Sequence, residues 1–158
     1  MRYLLDTNIL VRLVNATDPS QGLTERAIDK LFDDGERLYV APQSLIEFWN
    51  VATRPAAVNG LGMSLDEALA KIALFQLEFE LAEELPQLFP ILKTIGKAAK
   101  VIGKQIHDAR LVAICHLHSI PNILTFNGRH FARFAAIGPG LNIVEPAAVL
   151  TATRLSPP

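Results

Sequence analysis

Apolar positions along the chain fall into short blocks separated by longer stretches of helical spacing. That alternation is the pattern of an α/β fold built on a parallel sheet. Residues 2–5 read as a buried first strand ended by a turn at Asp6-Thr7-Asn8, after which Ile9, Leu10, Leu13 and Val14 recur at helical period. Thr24 is placed to cap a second helix, with Ala27, Ile28, Leu31 and Phe32 on its apolar face and Gly35 beyond its end. Leu38-Tyr39-Val40 forms a second strand, and a third helix runs from about Gln43 until Arg54-Pro55 stops it. Ser64 and Glu67 have the spacing of a capping box, which opens a fourth helix reaching to about Gln76. Leu77 to Leu81 reads as a third strand, and Glu78 and Glu80 mark it as an edge. Pro86 suits a helix start and Pro90 its first turn; that helix weakens near Gly96 and is over by Gly103. Asp108 opens a further helix, apolar through Leu111, Val112, Ile114 and Cys115. Ile123-Leu124-Thr125 and Leu141 to Val144 bring the count to about five strands.

Length and composition narrow the class. A chain of 158 residues fits one domain, 1–150, with 151–158 as a C-terminal tail ending Leu155-Ser156-Pro157-Pro158. Half the residues are hydrophobic and 20% are charged, which excludes intrinsic disorder. The formal net charge of −1 excludes a grip on nucleic acid through overall charge, so any phosphate-binding surface must be local. The single cysteine, Cys115, excludes an internal disulfide framework and a cysteine zinc site, and fits a reducing compartment. The longest apolar run, Leu111 to Cys115, falls far short of the roughly 20 residues of a spanning helix. Asp6 stops the N-terminal run too early for a signal peptide. The chain reads as soluble and cytoplasmic, with no membrane partner.

The placement of acidic groups at strand ends is the informative feature. Asp6 lies just past the first strand, Glu47 one to two turns into the helix after the second, and Asn127 just past the fourth; Asp108 opens the helix that precedes the fourth. In an open parallel sheet, ligands bind outside the carboxyl ends of the strands, where these groups can converge. Glu47 sits among Leu45, Ile46, Phe48 and Trp49, and a carboxylate held near a core needs a cation or strong donors. Mg²⁺ or Mn²⁺ would relieve the repulsion among three such groups, and hard oxygen ligands suit those ions. Taken singly, each residue has a simpler reading: Asp6 and Asp108 as helix caps, Glu47 as a surface side chain, Asn127-Gly128 as a turn, Trp49 as packing.

In this arrangement the sequence resembles the PIN-domain nucleases, and among them the VapC-type toxins of bacterial toxin–antitoxin pairs. The segments that carry the resemblance are LLDTNIL at 4–10, SLIEFWNV at 44–51, HDARLVAIC at 107–115 and ILTFNGRHF at 123–131, in family order from Arg2 to about Glu145. The resemblance implies a three-layer α/β/α fold with a parallel five-stranded sheet, and a metal-dependent endoribonuclease. It puts Asp6, Glu47 and Asp108 at the acidic positions, with Asp6 and Asp108 as the principal metal ligands, and gives Asn8 and Thr125 supporting polar roles. Its implied partners are an RNA substrate, a cognate antitoxin and a second copy of the chain. Where many relatives carry a fourth acid, this chain has Asn127, which favours one firmly held ion and keeps open a non-catalytic RNA-binding or scaffold module.

Local basic groups supply the expected phosphate grip. Arg129 and His130 directly follow Asn127, while Lys93 and Lys97 share a helix face in an acid-free stretch that continues to Lys100 and Lys104. Arg110 and Arg133 flank the proposed site, and His107 adjoins Asp108. The helix from Ser64 carries an apolar stripe at Leu65, Leu69, Ile72 and Ala73 that serves the core or a partner. A haloacid-dehalogenase-like phosphatase also starts with a strand and an aspartate, but it wants a second aspartate where Asn8 stands. A nucleotide-binding protein is disfavoured because no glycine-rich loop follows the first strand.

Overall fold

A computed structural model describes residues 1–152. Its elements are β1 (Arg2–Leu5), α1 (Thr7–Val14), α2 (Gln21–Asp33), β2 (Arg37–Val40), α3 (Pro42–Thr53), α4 (Leu65–Glu78), β3 (Glu80–Leu81), α5 (Leu88–Ala98), α6 (Gln105–Leu117), β4 (Asn122–Leu124), α7 (Gly128–Phe131), β5 (Asn142–Val144) and α8 (Pro146–Thr151), with short 3₁₀ turns at Ala56–Val58 and Ala132–Phe134. All strands pair in parallel, in the order β3-β2-β1-β4-β5. The fold is the expected three-layer α/β/α sandwich.

The two-residue period of the strands builds two cores. Tyr3 and Leu5, Leu38 and Val40, and Leu124 face one layer, where they pack with Ile9 and Leu10 of α1, Ile28 and Leu31 of α2, and Phe48 of α3. Leu4, Tyr39 and Ile123 face the other, against Leu88, Leu92 and Ile95 of α5 and Leu111, Val112 and Ile114 of α6. α6 packs against both α5 and the sheet, and consecutive residues from Leu111 to Cys115 are all buried. α2 closes as its sequence suggests: Gly35 adopts φ 71°, a left-handed conformation suited to glycine, and the Gly35 and Glu36 amides return to the Phe32 and Leu31 carbonyls.

Several boundaries depart from the sequence expectation. Thr24 is not a cap: α2 starts at Gln21, and the fully buried Thr24 hydroxyl donates to the Ser20 carbonyl at 2.8 Å. The capping box at Ser64 and Glu67 forms as expected, but α4 continues to Glu78. Helical spacing brings Phe75 against Phe79, ring centroids 6.1 Å apart, and this leaves β3 only Glu80 and Leu81. α5 begins at Leu88, two residues after Pro86, and β5 at Asn142, because Leu141 turns into the core. α6 begins at Gln105, so Asp108 lies in its first turn rather than opening it. The sequence reading missed α8, where Pro146 starts a turn that buries Val149 against α2 and carries helix through Thr151. Of the tail expected at 151–158, Thr151 belongs to α8, and residues 153–158 lie outside the described residues.

Phe48 is fully buried and meets the edge of Phe75 at 5.1 Å between centroids. Phe48→Ala is expected to lower unfolding free energy by about 3–5 kcal/mol, and Ser64→Ala by about 1 kcal/mol, both read from urea midpoints at unchanged slope.

Candidate active site

The carboxyl end of β1 is where the strand order reverses, with β2 on one side and β4 on the other, and chain leaving β1 and β4 there opens a crevice. The Asp6 amide donates to the Leu124 carbonyl and the Thr125 amide to the Val144 carbonyl, both at 3.0 Å, so each residue is pinned one step beyond its strand. Asp6 stands at the N-cap position of α1, but its carboxylate is engaged across the sheet. The Thr125 hydroxyl donates to Asp6 Oδ2 at 2.6 Å and Asn8 Nδ2 donates to the same oxygen at 2.5 Å. Asn8 also donates to Thr125 Oγ1 at 3.1 Å and accepts the Phe126 amide at 3.1 Å. Thr125 in turn accepts the Asn127 amide at 2.9 Å. Asn8 and Thr125 thus form a closed set of bonds around Asp6.

Glu47 projects toward the same crevice from α3 and is held at both oxygens. Thr7 Oγ1 donates to Oε2 and Gln43 Nε2 to Oε1, each at 2.8 Å. Gln43, one turn earlier on α3, also donates to the His107 carbonyl at 3.1 Å and so ties α3 to the first turn of α6, which carries Asp108. Sequence reasoning missed Gln43 and Thr7. Their signal was available: Gln43 lies four residues before Glu47, on the same helix face, and Thr7 follows Asp6 directly.

Asp6, Asn8, Glu47, Asp108 and Asn127 line one cleft of about 310 Å³, with Arg12 also in its wall. An adjoining cleft shares Glu47 and Asp108 and is walled by Lys104, His107, Arg129, His130 and Arg133. Arg129 and His130 thus line the cleft beside the carboxylates, and His130 Nδ1 lies 3.8 Å from Asp108 Oδ2. Lys93 and Lys97 line neither cleft; the Lys93 ammonium instead sits 5.5 Å from the Phe89 ring centroid. Arg110 is paired with Glu84. Trp49, read as packing, is partly exposed on the outer side of α3.

Burial pushes Asp6 up to about 6, against the hydrogen bonds from the Thr125 hydroxyl and Thr7 amide; the negative charges of Asp108 and Glu47 push it the same way. Burial also raises Asp108, while nearby His130 opposes the shift and Glu47 adds to it. Among the described residues neither Asp6 nor Glu47 has a cationic partner. Among those residues, too, no three His, Cys, Asp or Glu side chains are gathered tightly enough to form a ready-made metal site. The donor set is nonetheless of one kind: carboxylate oxygens with an amide oxygen beside them, in a desolvated cleft. That chemistry fits a hard divalent cation and not a soft one.

The family described as PIN domain matches residues 3–137. Solved structures share the fold at low identity. VapBC2 from Rickettsia felis, bound to a DNA fragment from their promoter, is 16% identical over 92% of this chain and 98% of that chain, with TM-score 0.69. VapBC-1 from nontypeable Haemophilus influenzae is 16% identical over 93% of this chain and 99% of that one, TM-score 0.67. Mycobacterium tuberculosis VapC20, a sarcin-ricin loop cleaving toxin, is 18% identical over 82% and 93% of the two chains, TM-score 0.61. No curated protein matches the sequence. No helix among the described residues is long and apolar enough to cross a membrane.

A carboxyl group raised by burial favours the folded state when protonated, and that contribution is lost as pH rises from the ordinary carboxylate range through about 6. In chelator, Asp6→Asn is therefore expected to be more stable than the parent at pH 8, by at most about 3 kcal/mol, with the gap closing toward pH 4. Urea midpoints across that range measure it; equal midpoints at pH 8 would show that Asp6 is not destabilised by its surroundings.

Proposed function

The chain belongs to the PIN-domain family, and from that premise we propose that it is a divalent-metal-dependent endoribonuclease, hydrolysing RNA phosphodiester bonds. The observation that carries this reading is the convergence of Asp6, Glu47, Asp108 and Asn127 on one cleft that opens into a basic one. The acidic end suits a cation and the basic end suits the phosphates of the same strand.

Asp6 and Asp108 are assigned as the principal metal ligands, with the Asn127 amide oxygen as a neutral donor. A bound Mg²⁺ or Mn²⁺ would lower the pKa of a water and polarise the phosphoryl oxygen. Thr125 and Asn8 hold Asp6 in one rotamer through the shared Oδ2. Glu47, fixed by Thr7 and Gln43, keeps lone pairs free to hold the metal or to orient the attacking water and take its proton. Water attacks phosphorus and the 3′-oxygen leaves, so the products carry 5′-phosphate and 3′-hydroxyl ends. Asn127 leaves the cleft with one charge fewer than a four-acid site, which supports one firmly bound ion.

The likeness of fold to VapBC2 and VapBC-1 supports a role as the toxin of a type II toxin–antitoxin pair, with a cognate antitoxin and a second copy of the chain as partners. A non-catalytic RNA-binding or scaffold module is the alternative that Asn127 keeps open, and the same assay separates the two.

With Mg²⁺ or Mn²⁺, the protein is expected to cleave single-stranded or loop RNA, and chelator to stop it. Asp6→Asn, Asp108→Asn and Glu47→Gln each lower the rate by about 10²–10⁴-fold. Ends carrying 2′,3′-cyclic phosphate would contradict the proposed hydrolysis. RNA binding indifferent to metal and to the first two substitutions, without cleavage, would establish the module instead.

A further inference from the structure

Arg12 is the one cation in the wall of the acidic cleft, and nothing in the mechanism above uses it. It lies on α1, one turn after Asn8, and its Nη1 donates to the Asn8 carbonyl at 3.3 Å. The guanidinium carbon sits 4.2 Å from the Phe126 ring centroid. That contact holds the group against the ring, while Nη2 makes no hydrogen bond among the described residues. The hydrogen bond to Asn8 is the only one Arg12 donates among the described residues, and its buried Nε–H has no acceptor there. Asp18 approaches Nε no closer than 3.6 Å, and both side chains are about a quarter exposed, so this ion pair leaves the guanidinium available.

A planar, pre-oriented guanidinium is suited to bidentate contact with phosphate oxygens. The second cleft provides Lys104, Arg129, His130 and Arg133, and the two clefts meet at Glu47 and Asp108. The carboxylates therefore lie between a single arginine and a basic group of four. Without Arg12, the acidic cleft would present only repulsive charge to a phosphate.

We propose that Arg12 is a phosphate-contacting residue of the RNA site, holding the backbone on the far side of the carboxylates from Lys104, Arg129, His130 and Arg133. An RNA strand then crosses the acidic cleft with a phosphate anchored on each side, which fixes its direction over Asp6 and Asp108. This assignment rests on the ribonuclease reading and adds a residue that the sequence motifs do not include.

The test measures binding of a single-stranded oligoribonucleotide to the full chain in chelator, from about 50 to 300 mM salt, for the parent, Arg12→Gln, Arg12→Lys and Lys104→Gln. Circular dichroism and thermal unfolding establish that each variant is folded. Arg12→Gln is expected to weaken binding several-fold and to reduce the slope of log affinity against log salt by about 0.7, the value for one single-strand phosphate contact. Arg12→Lys restores the slope but not the full affinity, because it keeps the charge and loses the fork. Lys104→Gln lowers the slope independently, and the double variant loses both contributions. With Mn²⁺, Arg12→Gln raises KM more than it lowers kcat. An unchanged slope in a folded Arg12→Gln protein overturns the assignment even if affinity falls, since loss at constant slope marks a structural role. If the parent binds and cleaves RNA while Arg12→Gln matches it throughout, the Arg12 assignment alone fails. If the parent neither binds nor cleaves, the ribonuclease reading fails with it.

Discussion

Asp6 is a carboxylate held in the interior one step beyond β1, directly after the buried Tyr3, Leu4 and Leu5, and the surrounding structure is arranged around that burden. Leu4 and Leu5 are fully buried on opposite faces of the sheet, so Asp6 has no freedom to move toward water. Its desolvation is answered locally by Thr125 and Asn8, and beyond them by bonds from Asn127 and Phe126 that fix those two residues in turn. Negative charge from Glu47 and Asp108 works against this accommodation. The result is a group whose ionised form is poorly served by its own protein. A cation bound at neutral pH would recover what burial has cost, which is how binding energy can be stored in a fold before any ligand arrives.

The reversal of strand order between β1 and β4 makes this possible. The chain goes on from β1 to β2 on one side and from β4 to β5 on the other, so the segments that follow these two parallel strands part, and both Asp6 and Asn127 line the gap. α3 and α6 bring the remaining carboxylates from the two helical layers. Gln43 couples them, because one side chain bonds Glu47 on its own helix and the His107 carbonyl on the other. The site is thus assembled from three layers, and its geometry depends on how closely α3 and α6 approach across the end of the sheet.

Much of this was legible in the sequence. The apolar runs at 3–5 and 38–40 mark buried strands, the helical spacing of Ala27, Ile28 and Leu31 marks the buried face of a helix, and the structure follows them. The capping box at Ser64 and the glycine at 35 are local signals with local outcomes. Where the reading failed, tertiary contact decided. Thr24 has the chemistry of a cap, but the helix begins earlier and turns it inward. Asp108 looked like the start of a helix, yet Gln105 supplies the first turn, its Oε1 accepting the Ile102 amide. Lys93 and Lys97 form a basic face that lines neither cleft, a matter of helix placement that no charge count reveals. Gln43 and Arg12 escaped notice because a neutral amide and a lone arginine gain meaning only from what stands opposite them.

The brevity of β3 has a consequence for how copies of this chain can associate. Its two exposed residues end the sheet on that side, and Glu80 is locked to Arg37 of the adjacent strand at 2.5 Å. So short and charged a border offers almost no ladder of unpaired amides to an incoming strand, and the sheet gains little by edge-to-edge pairing on that side. There a second copy meets helical faces instead, where Leu65, Leu69 and Leu74 of α4 and Phe89 of α5 are exposed. None of these four side chains lines the cleft that gathers Asp6, Glu47 and Asp108, so a surface free to recruit company lies apart from the carboxylates.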